Sequence, residues 1–434
     1  MTKKLIANAR IDDFADPVHI LIEGEKIMDI TPKKPKGMEK EFDAGGNLVI
    51  PGLINIHMHL DKSGLAETIS NETGTLAEAR QRIREAKPGF TREDIKTRAG
   101  KTVLQAVRDG VTAIRTHVDI DPAIGLKGLE AILELRESLK DIVDIQIVAF
   151  PQEGISESPG TEDLMREALG MGADVVGGHL SIAHDFREHS ERVFDMALEY
   201  DRDVDIHVDI DIDRDYRKTT PHSDGKEYPD GLGVVAMALE TVRRGYGGRV
   251  AASHLCALDA LAPSLAENVI TLMAQTGVSA VALPPGNLYT HGRADLQNVR
   301  RGVTRVRALL AGGVRVSFGT DNTRDPFNPL GNTDMIHNAI LTAYACHMAT
   351  AEDFRTTLKL CTVNAADIMK LPEYGLQKGR FADIVILNAP SAEEALANQA
   401  MATHVFKRGR LVATNEIKRS LYMEDKEIFH GQNH

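Results

Sequence analysis

Apolar strand-like runs and amphipathic helical stretches alternate eight times through the middle of this 434-residue chain, and no other feature limits the fold as strongly. The runs are INIHMHL, TAIRTHV, DIQIVAF, ADVVGGH, DVDIHVD, RVAASH, VSAVALPPGN and VRVSFGTDN. Between them lie segments with helical spacing of apolar residues, such as GLKGLEAILELRESLK, EDLMREALGMG and GVVAMALETVRRG. Eight such units in roughly 300 residues predict an α/β protein built on a closed (β/α)8 TIM barrel, with its chemistry at the C-terminal ends of the strands. An open doubly wound sheet is the alternative, but no Gly-x-Gly-x-x-Gly phosphate turn opens any unit.

The flanks have a different rhythm. LIANARI, VHILIEGEKIMDI and GNLVI near the start, and ADIVILN and THVFKRGRLVA near the end, alternate apolar and polar residues and predict antiparallel strands. Lys407-Arg408-Gly409-Arg410 reads as a hairpin tip. Residues 1–49 and 378–434 are expected to form one small β-sandwich from both termini, with 50–377 as the catalytic barrel. After about Ile417 the pattern weakens, and the tail reads as a loose end or a cover for a neighbouring surface.

Composition narrows the function classes. Apolar residues make up 42% and charged residues 26%, ordinary for a soluble globular protein, and the net charge of −12 speaks against nonspecific nucleic-acid binding. No apolar stretch approaches the roughly 20 residues of a membrane span, and the first residues lack the apolar core of a secretory signal. The three cysteines lie far apart, so a disulfide framework is not expected and a cytoplasmic location is. The expected partners are a small-molecule substrate and, as a homo-oligomer, further copies of the chain.

Polar groups at the strand exits are where chemistry should lie. His57 and His59, two apart on a strand, point the same way. The fifth run gives His207, the sixth His254 and the eighth Asp321. Histidines and a carboxylate converging on a barrel mouth can hold one divalent metal ion with a position open to water, whose pKa falls to about 7. In that arrangement Asp321 both touches the metal and takes the water proton, and His254 polarises the atom under attack.

At these residues the chain resembles the amidohydrolase superfamily, and within it the cytosine deaminase branch. The likeness runs through HMHLDKS, VRDGVTAIRTHVDI, DIQIVAFPQEGI, NLYTHGR, RRGVTRVRALLAGGVRVSFGTDNTRDPFNPLG and GRFADIVILN. It implies a barrel with a composite β-sandwich and one zinc or iron ion, manganese being a further option. The ligands it implies are His57, His59, His207 and Asp321, with His254 beside the attacking water. No lysine stands at the exit of the fourth run, so the carboxylated lysine that bridges two metals in other branches is missing. By the same match Gln152 hydrogen-bonds the substrate's ring amide, Asn322 faces the substrate, and Phe327 forms an apolar wall.

The chain also departs from that branch. Where cytosine deaminases carry a glutamate three residues after the fifth-unit histidine, Ile210 stands here and cannot carry a proton. Thr320 and Asn322 replace a histidine and a second aspartate, so cytosine itself is not the expected substrate. Lys62 in HMHLDKS resembles the N-isopropylammelide amidohydrolases of triazine degradation, where that lysine sits near the metal. Next to a cation it should have a depressed pKa and act as an acid or base. Asp209, two residues after His207, should face the same side of the strand and is the leading replacement for the missing proton carrier, with orienting a histidine as its other role. The ladder Asp209, Asp211, Asp213, Asp215 lacks the glycine and glutamate of a calcium loop. The polar segment 214–231 reads as a loop over the barrel mouth or a plain surface excursion. His117 and His179 also stand at strand exits, in supporting roles.

The expected function is therefore metal-dependent hydrolysis of a C–N bond in a small nitrogen-rich ring of pyrimidine, triazine or purine type, by metal-bound hydroxide. Lys62 or Asp209 would protonate the leaving amine. Hydrolysis of a cyclic or acyclic amide is the alternative, since it needs no ring protonation. A binding protein that keeps the fold without catalysis is the third reading; such a chain loses ligands first, and all four stand.

Overall fold

The computed structural model describes residues 3–12, 14–38, 40–423 and 426–432. The N-terminal flank supplies β1 (Lys3–Ala9), β2 (Val18–Glu23), β3 (Lys26–Thr31), β4 (Lys40–Asp43) and β5 (Val49–Pro51). Eight parallel strands follow in sequence order: β6 (Leu53–Met58), β7 (Val111–Asp119), β8 (Asp144–Phe150), β9 (Val175–His179), β10 (Asp203–Val208), then β13 (Val250–His254), β14 (Val278–Ala282) and β15 (Val316–Phe318). A parallel bridge between Met58 and Asp321 brings the last strand back to the first and closes the barrel. These strands are apolar on both faces because helices cover the outside while side chains fill the inside; every residue of β7 is buried.

The outer layer is formed by α1 (Leu76–Ala86) and α2 (Arg92–Arg108) after β6, then α3 (Lys127–Leu139), α4 (Thr161–Met171), α5 (Phe186–Tyr200), α6 (Gly233–Arg244), α7 (Pro263–Thr276), α8 (Pro284–Thr290), α9 (Val306–Ala311), α10 (Met335–Ala345), α11 (Ala351–Leu360) and α12 (Val363–Met369). The seventh strand stops at Ala282 rather than running through the prolines, because Pro284 and Pro285 open α8. Segment 214–231 folds into a two-stranded hairpin, β11 (Thr219–Pro221) and β12 (Glu227–Pro229). Tyr228 anchors it in the main core, and it lines a recess with Ala183 and Phe186 that is separate from the barrel mouth.

The C-terminal flank holds β16 (Ile384–Leu387), α13 (Ala392–Ala397), β17 (Ala402–Lys407) and β18 (Arg410–Thr414). Its strands pair in the order β18-β17-β16-β5, opposite the sheet β3-β2-β1-β4. Ile6, Ile20 and Ile22 share one core with Ile384, Ile386 and Phe406, so both chain ends build one layer pair. Alternation along β16 does the rest: Ile384 and Ile386 face the sandwich, and Val385 and Leu387 face the barrel core. The tail beyond Ile417, whose weak pattern suggests a loose end or a cover for a neighbouring surface, forms a further antiparallel hairpin, β19 (Lys418–Met423) and β20 (Lys426–Gln432). The three cysteines are free, as expected. No helix among the described residues is long and apolar enough to cross a membrane.

Candidate active site

The barrel's closing seam positions the metal-binding candidates. The Asp321 amide donates to the His57 carbonyl at 2.9 Å, which locks the first strand to the last at the level of the site. Two glycines make room: a Cβ on Gly319 would lie 2.6 Å from the His57 carbonyl oxygen, and one on Gly286 2.6 Å from Asp321 Oδ2. His254 and Asp321 both have left-handed backbone, with φ of 79° and 61°, as the chain swings off the strand ends. Such strain in non-glycine residues collects at functional sites.

His59 Nε2 lies 3.3 Å from Asp321 Oδ1 and 3.3 Å from His207 Nε2, and His57 Nε2 lies 3.7 Å from Asp321 Oδ1. Ligands about 2.1 Å from a tetrahedral zinc stand roughly 3.4 Å apart, so this spacing fits a shared cation. His57, His207, His254 and Asp321 form a compact group whose donor atoms all lie within 4.8 Å of one another. Five side chains therefore converge: the four expected ligands and His254.

Hydrogen bonds behind the histidines set which nitrogen is bare. Ser253 Oγ donates to Asp205 Oδ1 at 2.8 Å, and since a carboxylate only accepts, Ser253 Oγ in turn accepts from His57 Nδ1–H at 3.0 Å. His57 Nε2 is left as a buried lone pair with no partner. Arg115 holds the other Asp205 oxygen at 2.9 Å. His179 Nδ1 donates to the Gln152 carbonyl at 2.9 Å, and His254 Nδ1 to Asn287 Oδ1 at 3.2 Å, leaving both Nε2 atoms unpartnered. Burial and the crowding of imidazoles hold His57, His59 and His207 well below the usual histidine range. Burial likewise brings His254 down to about 4 and raises Asp321. Neutral imidazoles with inward lone pairs are the form that binds a divalent metal.

A recess of about 470 Å³ opens over these groups. Its wall includes Gln152, Asn322 and Phe327, three residues expected from the sequence, together with His59, His207, His254 and Asp321. Ile210 is also in the wall, so the position of the absent glutamate does face the cavity. Asn322 donates to Asp325 at 2.6 Å, and Phe327 backs onto Leu65, Ala79 and Ile83. Leu76, Arg80, His179, Gly286, Asn287 and Thr290 complete the wall; His179 is expected in a supporting role and the other five carry no signal in the sequence. His117 lies deeper, its ring stacked on His57 at 3.9 Å.

Two expected proton carriers lie elsewhere. β10 ends at Val208, and Asp209 takes a left-handed φ of 54°, so strand alternation no longer governs where it points. Its two carboxylate oxygens accept from the amides of Gly233 and Val234 at 2.7 and 3.0 Å, at the start of α6. Lys62 is buried against Asp119, outside the cavity wall. Burial works against its charge, but Asp119 and Asp61 prevail and its pKa is raised. Lys62 Nζ also lies 3.4 Å from Gln152 Oε1, and since an ammonium only donates, the Gln152 NH2 is left for the cavity. A second cluster, His59, Asp61 and Asp119, already holds ammonium groups, with Lys87 on Asp119 at 2.8 Å.

A family model described as the amidohydrolase family matches residues 40–413. The chain belongs to the amidohydrolase family. The N-isopropylammelide isopropyl amidohydrolase of Pseudomonas sp. (strain ADP) is 32% identical to this amidohydrolase over 435 residues, covering 95% of this chain and 98% of that protein. A crystal structure of 5-methylcytosine deaminase from Klebsiella pneumoniae liganded with 5-fluorocytosine matches with a TM-score of 0.88 at 32% identity, over 97% of this chain and 99% of that one. The N-isopropylammelide isopropylaminohydrolase of Burkholderia multivorans matches with a TM-score of 0.81 at 30% identity, over 96% and 99%. This amidohydrolase is thus a divalent-metal-dependent hydrolase of C–N bonds acting on a small molecule, on a TIM barrel with a terminal β-sandwich.

Proposed function

We propose that this amidohydrolase releases an amine from a small, electron-poor, nitrogen-rich six-membered ring. The observation that carries the reading is the convergence of His57, His59, His207 and Asp321, with His57 Nε2 left bare by the Ser253–Asp205 pair. One zinc, iron or manganese ion on these four residues would lower the pKa of a bound water to about 7 and so supply a nucleophile at neutral pH. Asp321 accepts the proton of the attacking water at a carboxylate oxygen and delivers it to the leaving nitrogen. His254, neutral and with a bare Nε2, accepts a hydrogen bond and orients that water. Gln152 offers its NH2 to a ring carbonyl or ring nitrogen, and Phe327 lies against a flat ring.

The relatives' names support this class: one acts on N-isopropylammelide and another on 5-methylcytosine. Ile210 favours rings whose carbon is electrophilic without protonation of the neighbouring nitrogen, as in triazines and oxo-rich pyrimidines, and disfavours cytosine. The same residue favours a second reading, hydrolysis of a cyclic or acyclic amide. An ammonia- and amine-release screen over triazines, pyrimidines, purines and lactams, with Zn(II), Fe(II) or Mn(II) added, tests both. Turnover of at least one ring amine, abolished by chelation, is expected. Release from amides alone would replace the first reading with the second.

A further inference from the structure

The helix α1 carries one cation that its surroundings leave unanswered. Its other arginines are paired: Arg82 with Glu78 at 3.2 Å, and Arg84 with Glu153. Arg80 lines the cavity one helical turn beyond Leu76, yet its Nε is buried without a hydrogen-bond partner. Among the described residues no carboxylate forms an ion pair with its guanidinium. The acids that influence it most, Glu153 and Asp211, are already engaged by other cations. Glu153 also meets Lys87 at 3.4 Å, and Asp211 meets Arg214 at 3.5 Å.

This placement is built into the fold. Ala79 and Ile83 lock α1 against Leu65 and Phe327, and the Thr75 side chain caps the helix by accepting from the Glu78 amide. Arg80 also borders two further recesses, of about 910 and 1060 Å³, lined by none of His57, His59, His207, His254 and Asp321. It therefore stands where the cavity meets these outer recesses. Apart from Asp321, no carboxylate lines the cavity. A guanidinium whose Nε is buried without a counter-charge is costly, and its planar fork matches a carboxylate with two parallel hydrogen bonds.

We propose that Arg80 reads a carboxylate on the substrate ring, so that the enzyme selects anionic ring acids over the uncharged rings. This specificity rests on the reading of the cavity as a ring hydrolase. The test is calorimetric binding to metal-loaded enzyme of paired probes: uracil with its 5- and 6-carboxylates, cytosine with cytosine-5-carboxylate, and pterin with pterin-6-carboxylate. Wild type is expected to bind the carboxylate of at least one pair at least tenfold tighter than its parent. Arg80→Gln should shrink that preference to threefold or less with metal content unchanged, and Arg80→Lys, which keeps the charge, should retain part of it. No preference in any pair, or a preference that survives in Arg80→Gln, overturns the proposal. Ammonia or amine release from amine-bearing ring acids and their uncharged parents together reports on the ring-hydrolase reading alone, so its absence from all of them beside an Arg80-dependent preference sinks that reading and leaves the carboxylate contact standing.

Discussion

Ser253 has no place in the cavity, yet it decides which nitrogen of His57 is bare. Removing its hydroxyl frees the imidazole to change tautomer. Ser253→Ala is expected to weaken metal binding by about 10–100-fold, the usual effect of losing an orienting partner, as read from metal titrations against a competing chelator. Asp325 gives a pH signature. Burial pushes it up to about 7, against hydrogen bonds from Asn322 and the amides of Asn328 and Phe327. A carboxyl raised in the folded state stabilises the protein fully below its unfolded value near 4, and that contribution is lost as pH rises through about 7. Urea midpoints should therefore decline from about pH 4 to about pH 7, and Asp325→Asn should flatten that slope. The candidate metal ligands were legible because each stands at the exit of a strongly patterned strand. Asp209 was misread because its backbone turns left-handed one residue after the strand ends, which alternation cannot foresee. The ion pair of Lys62 could not be foreseen because its partner Asp119 lies on another strand, and Arg80 carried no signal because a basic residue in LAEARQRIREA looks like a solvated helix face.

Among the elements, α1 shapes the cavity without belonging to the eight-fold repeat. Its contact with Phe327 makes that residue both a wall of the cavity and the pin of the helix. Phe327→Ala is expected to cost about 3 kcal/mol, seen in urea unfolding, and to raise KM more than it lowers kcat. An unchanged midpoint would show that α1 is held by its other contacts. All eight barrel strands were legible, since buried parallel strands are short continuous apolar runs between turn residues. The helices α11 and α12 and the terminal hairpin were not read from the sequence. Short elements at a barrel's margin carry too few turns or pairs for periodicity to register.

At the scale of the whole molecule, one lysine ties the sandwich to the barrel. Lys407 on β17 is fully buried and reaches Asp383 at 2.7 Å and Asp144, at the start of β8, at 2.6 Å. Lys407→Met strips the buried Asp383 of its counter-charge and should destabilise the protein by about 3 kcal/mol in urea unfolding, with metal content per folded molecule unchanged. The composite sandwich itself was legible because both chain ends share a period of two while the centre does not. The decisive measurement is metal content by elemental analysis of the purified wild type and of His57→Ala, His207→Ala and Asp321→Ala, each confirmed folded by circular dichroism. About one equivalent of zinc, iron or manganese in the wild type, falling below a tenth in each variant, is expected. Undiminished metal in folded variants, or chelator-resistant hydrolysis by a metal-free wild type, would contradict the account.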